Sequence, residues 1–147
     1  MSRVLLALIG LAFTITVSAQ DIQSPQALAN AVAAAIAAGK QESLAELFSS
    51  DAPGDSKKYA IQDLMAFKGA THLSAKPVEP GDKDWKGVPL TVLLKKQAEH
   101  GYAFPVEPLG RIMVSGQKAG ESGISMAGAF YGKFGSNYLL MFASRKK

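Results

Sequence analysis

The C-terminal segment 138–143 (YLLMFA) constrains the fold of this chain more than any other stretch. It is typical of a final β-strand that is apolar on both faces. One face carries Leu139 and Met141, and the other carries the residues that alternate with them. Burying such a row stabilises a protein by about 25 cal/mol per Å². If helices cover one face, a pocket, another layer of the chain or a partner must cover the second.

Further β segments precede this strand. Apolar and small residues alternate over 124–131, after a glycine-rich loop at 116–123. Residues 132–135 (GKFG) predict the next turn. Upstream, 103–106 and 110–115 are expected to form one strand pair or one interrupted strand.

The first half of the chain has helical periodicity instead. Ser24 and Pro25 are typical of a helix start, and Gly39 of a helix end. A short second helix carries Leu44, Leu47 and Phe48 on one face, and a third is expected over 56–68. A strand is expected over 71–78 and a polar loop over 79–87. A helix is favoured over 88–100, and a strand at 90–94 is the alternative.

These patterns predict an α+β fold. Two or three N-terminal helices are expected to pack on a curved antiparallel sheet, formed mainly by the C-terminal third. We find no internal repeat and no sign of a second domain, so residues 20–147 are predicted to form a single domain.

The first 19 residues have the pattern of an export signal. Arg3 precedes an uncharged apolar run over 4–17, and the small residues of Val17-Ser18-Ala19 suit a signal peptidase. The run is shorter than the roughly 20 residues of a membrane span, although an uncleaved anchor is the alternative. Cleavage after Ala19 predicts a periplasmic or secreted protein without an integral membrane segment.

Composition excludes several chemistries. The chain has no cysteine and only two histidines, so it lacks disulfides, thiolate sites and a cysteine nucleophile, and no zinc-binding spacing is present. We expect no metal and no cofactor. The net charge is +4, or +3 once residues 1–19 with Arg3 are removed, which is too small and too scattered to indicate a nucleic-acid partner.

Residues 35–53 (AIAAGKQESLAELFSSDAP) resemble the opening of the nuclear transport factor 2-like superfamily. The resemblance rests on a helix ending near a glycine, a short acidic and leucine-rich helix, and then an aspartate, here Asp51. It implies helices packed on a strongly curved sheet that encloses an apolar pocket. That superfamily includes isomerases, dehydratases, cyclases, carriers and non-enzymatic binders, so the resemblance fixes no activity. The chain departs from its pattern after Asp51, and no catalytic motif matches.

Three side chains are weak catalytic candidates. Asp63 lies beside the apolar stripe of the third helix, where a buried carboxylate would have a raised pKa and act as a base. His72 begins a strand, and His100 follows Glu99 near a helix end. Histidine suits general-base chemistry near neutral pH, but a non-catalytic position is the more common explanation for all three residues.

Aromatic and apolar residues near the sheet are candidates for a ligand pocket. They are Phe104, Phe130, Tyr138, Leu140 and Phe142. The leading hypothesis is a non-enzymatic exported protein that binds a small apolar or amphipathic ligand, or a protein partner, through the second sheet face. The alternatives are a lyase or isomerase with a pocket carboxylate or histidine, and a structural envelope protein that acts as a homodimer.

Overall fold

The computed structural model describes residues 22–83 and 87–146, so the export segment predicted at 1–19 lies outside the described residues. The helices are α1 (Pro25–Ala38), α2 (Gln41–Glu46), α3 (Gly54–Met65) and α4 (Leu90–Glu99). The strands are β1 (Thr71–Val78), β2 (Tyr102–Ala103), β3 (Gly110–Gln117), β4 (Ser125–Phe134), β5 (Asn137–Met141) and β6 (Ser144–Arg145).

Helix α1 begins and ends where its capping residues predict. The Ser24 hydroxyl accepts a hydrogen bond from the Ala27 N–H at 3.0 Å. This satisfies a donor of the first turn, which has no partner within the helix. Gly39 adopts a left-handed conformation with φ 67°, and its N–H is directed at the carbonyls of Ala35 and Ile36.

The main sheet has four antiparallel strands in the order β1-β3-β4-β5. Three helices precede it in the chain, and three of its strands come from the C-terminal part. The predicted α+β class, with an antiparallel sheet mostly from the C-terminal part, is therefore confirmed. The edge strand β5 forms further backbone hydrogen bonds on its outer side, where the Leu140 N–H donates to the Leu47 carbonyl and the Ser49 N–H donates to the Leu140 carbonyl.

The hydrophobic core lies between the helices and one face of this sheet. Helix α1 contributes Leu28, Val32 and Ile36, all without exposed surface. The sheet contributes Ile112, Val114, Ala129, Tyr131 and Leu140.

Two β predictions are wrong in detail. Residues 103–106 and 110–115 form neither a strand pair nor an interrupted strand, because Ala103 pairs with Ser144 instead. Pro105 and Pro108 lack N–H donors, so a ladder cannot continue through them.

The turn predicted at 132–135 is also misplaced, because β4 continues to Phe134. Gly132 is needed there for close approach, since a Cβ at this position would lie 2.5 Å from Val106 Cγ2. The close approach of another segment therefore explains why residue 132 is a glycine, and a turn does not.

The helix favoured over 88–100 is present as α4, so the alternative strand at 90–94 is wrong. Strand β1 has the predicted bounds of 71–78. Helix α3 begins at Gly54 and ends at Met65, earlier at both ends than the predicted 56–68.

We expect alkaline pH to destabilise the fold through Tyr131. Burial raises the pKa of the Tyr131 hydroxyl above its ordinary value, and Glu79 and Tyr138 act in the same direction. The folded state therefore favours the protonated form more than the unfolded state does. The stabilisation is complete below the unfolded pKa of about 10 and is lost as pH rises through the higher folded value.

Urea unfolding at a series of alkaline pH values tests this expectation. Wild type should lose free energy of unfolding more steeply with pH than Tyr131→Phe does, because phenylalanine has no proton to lose. Parallel pH profiles for the two proteins would contradict the assignment.

Candidate functional site

The sheet face opposite the core is the starting point for the site. Residues that alternate with core residues along a strand project to the other side of the sheet. We call this side the second face. Its members on the four strands include Lys76, Val78, Arg111, Met113, Met126, Gly128, Phe130, Gly132, Leu139 and Met141.

The chain itself covers one end of the second face. Phe104 packs edge-on against Phe130, with ring centroids 5.0 Å apart. Val106 lies against Gly132, which also has the end of the Met141 side chain beside it. Met141 consequently has no exposed surface. A pocket, another layer of the chain or a partner was expected to cover this face. At the β4–β5 end, the cover is another layer of the chain.

The β1–β3 end of the same face is an open groove that encloses about 500 Å³. Ligand pockets in proteins enclose about 300–1,000 Å³. We call this the second-face groove. It is lined by Lys76, Pro77, Val78, Asp82, Lys83, Leu90, Arg111, Met113 and Met126. Its apolar members come from β1, α4, β3 and β4, so distant segments of the chain build it together.

Arg111 has a defined position in this groove. Its guanidinium carbon lies 5.1 Å from the centre of the Phe130 ring, and its Nη2 donates to the Gly128 carbonyl at 3.2 Å. Arg111 and Phe130 are direct cross-strand partners, which brings cation and ring together. The contacts fix a positive charge over β4, in a half-buried wall of the groove.

A second groove of about 470 Å³ lies between α3 and β4. We call it the α3 groove. Ser56, Tyr59, Ala60, Asp63 and Leu64 line it from α3, and Arg111, Met126, Ala127, Gly128 and Phe142 line it from the sheet side. Arg111 and Met126 belong to both grooves, so this pair separates them.

The three catalytic candidates are all exposed and belong to different elements of the fold. Asp63 is on the wall of the α3 groove. His72 lies at an irregularity in the β1–β3 pairing and has φ 56°, a left-handed conformation uncommon for a non-glycine residue. His100 Nδ1 lies 2.7 Å from the Lys96 carbonyl at the end of α4. Neither histidine lines either groove.

The five ligand-pocket candidates are divided between the two faces of the sheet. Phe104 and Phe130 pack together on the second face. On the core side, Leu140 is buried and Tyr138 lies beside Tyr131. Phe142 stacks on Phe48 at 5.2 Å and lines the α3 groove. None of the five lines the second-face groove.

The residues that do line the second-face groove were not singled out from the sequence. Two of them had a signal, because Arg111 and Met113 alternate with the buried residues Ile112 and Val114 along β3. Nothing in the sequence indicates that Leu90 lines the groove, since this depends on how α4 packs against the sheet.

Two further findings concern the part of the chain that the structure describes. None of its helices combines the length and apolar character that a membrane crossing requires. No three histidine, aspartate or glutamate side chains within residues 22–83 and 87–146 cluster as a metal site would need.

Comparison with known proteins adds no assignment to this geometry. No family model matches the sequence, and neither the curated proteins nor the solved structures yielded a match. The resemblance of residues 35–53 to the nuclear transport factor 2-like superfamily therefore stays a prediction.

Proposed function

We propose that this chain is an exported, non-enzymatic protein that binds a small amphipathic ligand in the second-face groove. The observation that carries the proposal is the groove itself. Among the residues that the structure describes, side chains cover the β4–β5 end of the second face and leave the β1–β3 end open. Export is proposed from the signal pattern of residues 1–19.

The lining of the groove suits an amphipathic ligand. Its apolar side chains include Leu90, which is 1% exposed, and Met126, which is 41% exposed. Leu90 therefore belongs to the closed base of the groove, and Met126 supplies apolar surface that a ligand can contact. Methionine side chains are flexible and polarisable, so Met113 and Met126 can adapt to an alkyl chain. Charged groups on the same walls can hold a polar head.

The placement of the other candidate residues favours binding over catalysis. A lyase or isomerase would need a carboxylate or histidine enclosed with its substrate, and Asp63, His72 and His100 are all exposed. A homodimer built on this face would need a flat apolar surface, whereas the β1–β3 end is concave and carries charge.

Calorimetric titration with 1-lauroylglycerol, a neutral amphipath with a twelve-carbon chain, tests the proposal. Wild type should bind it. Met126→Trp should weaken binding by about tenfold or more, because the larger ring occupies the space in which the alkyl chain would lie. Ile124→Trp is the matched control, because residue 124 is 74% exposed and lines neither groove. It should bind as wild type does.

Two outcomes would reject the proposed function. One is the absence of binding to wild type at concentrations below micelle formation. The other is equal affinity in Met126→Trp and wild type, which would place any bound amphipath outside the groove.

A further inference from the structure

The charged side chains of the second-face groove are unbalanced. Lys76, Lys83 and Arg111 are cationic, and Asp82 is the single carboxylate among its described lining residues. A concave surface lined mainly by one sign of charge attracts ligands of the opposite sign. The whole chain carries only +4, so this groove concentrates positive charge locally.

Two of these cations are held near each other by strand register. Lys76 pairs with Met113 across β1 and β3, and Val78 pairs with Arg111. Lys76 and Arg111 are therefore diagonal neighbours on one face, a position in which Cβ atoms lie about 7–8 Å apart. Both side chains are cationic, and contacts with Phe130 and Gly128 hold the Arg111 guanidinium towards β4. An anion that reached both side chains would be attracted by two positive charges.

The carboxylate of the groove already has a structural role. Asp82 Oδ2 accepts a hydrogen bond from the Glu79 N–H at 3.0 Å within the loop that follows β1. Neither Lys76 nor Lys83 forms an ion pair with a carboxylate of the described residues. Both ammonium groups therefore remain able to hold an anionic group brought by a ligand.

We infer that the ligand is a fatty-acid anion, with its carboxylate held by Lys76 and Arg111 and its alkyl chain along Val78 and Met126, which are apolar lining residues with exposed surface. The inference rests on the proposed function and specifies its ligand class. A carboxylate carries one negative charge and two acceptor oxygens, which match one ammonium and one guanidinium.

Laurate and 1-lauroylglycerol form a matched pair of probes, because they share the alkyl chain and differ in head charge. Wild type should bind laurate about tenfold more tightly at low ionic strength, and added salt should shrink the difference. Lys76→Gln should remove most of the laurate preference, measured as the ratio of the affinities for laurate and 1-lauroylglycerol. Lys40→Gln lowers the net charge equally at an exposed residue outside both grooves, and it should change neither affinity.

The outcomes separate this inference from the proposed function. Equal affinity for both probes in wild type would overturn the anion assignment while amphipath binding stands. Failure of both probes to bind would overturn both proposals. A laurate preference that survives Lys76→Gln would place the carboxylate elsewhere and overturn the assignment. Tighter binding of dodecyl phosphate than of laurate would overturn the choice of a carboxylate.

Discussion

Leu140→Ala is expected to lower the free energy of unfolding by about 3–4 kcal/mol. The Leu140 side chain has no exposed surface and lies in the core with α1. Truncation removes its apolar contacts and leaves a cavity that the surrounding strands can fill only in part. The backbone bonds of Leu140 to Leu47 and Ser49 do not depend on the side chain, so the strand remains in place. Urea unfolding monitored by circular dichroism measures the loss.

Leu139→Ala is the matched control for this prediction. Leu139 is the preceding residue of β5 and lies on the second face, where it is partly exposed. The same truncation should cost about 1–2 kcal/mol there, because less area is buried. A slip of one residue in register would exchange the faces of the two leucines. A larger loss from Leu139→Ala than from Leu140→Ala would therefore contradict the placement of the core.

Gly110→Ala is expected to have the second largest effect, a loss of about 2–3 kcal/mol. A Cβ at this position would lie 2.3 Å from the Val78 carbonyl oxygen and 2.9 Å from the Tyr131 ring. The nearest atom belongs to the backbone of the neighbouring strand β1, so a change of rotamer cannot relieve the clash. The β1–β3 pairing has to open locally instead.

Gly123→Ala provides the comparison for this variant. Gly123 lies in the loop between β3 and β4, and a Cβ there would meet no atom within 4 Å. Its unfolding midpoint in urea should stay close to that of wild type. Equal midpoints for Gly110→Ala and Gly123→Ala would mean that β1 does not approach β3 as closely as described. The wall of the second-face groove would then also be misplaced.

Local rules explain which elements were predictable from the sequence. The caps of α1, Ser24 and Gly39, act within a few residues of the helix ends, so the helix could be placed from sequence. An apolar period of three to four residues predicts helix α4, and a continuous apolar run predicts strand β5. In each case the signal lies within the element itself.

The remaining features depend on contacts between distant segments. Strands β2 and β6 have two residues each, too few to show an alternation, and they pair across about 40 positions of the chain. Gly132 looked like a turn glycine because its partner, Val106, comes from another part of the sequence. Such pairings follow from tertiary packing, and composition and periodicity do not encode them.

Tertiary packing also explains why the five ligand-pocket candidates and the residues that line the second-face groove are different residues. The apolar run over 138–143 favours Tyr138, Leu140 and Phe142 as pocket residues. The sequence predicts that the second face needs a cover, but it does not indicate which segment covers which end. Phe104 and Val106 close the β4–β5 end, and the groove is left at β1 and β3.

Methionine methyl NMR tests the central claim, that the second-face groove binds an amphipath, most directly. Met113 and Met126 line the groove, whereas Met65 and Met141 line neither groove and serve as internal references. With ¹³C-labelled methionine methyl groups, adding laurate should shift the Met113 and Met126 signals together and leave those of Met65 and Met141 in place. A shift of Met126 without Met113 would indicate the α3 groove. Either that result or four unmoved signals would contradict the account.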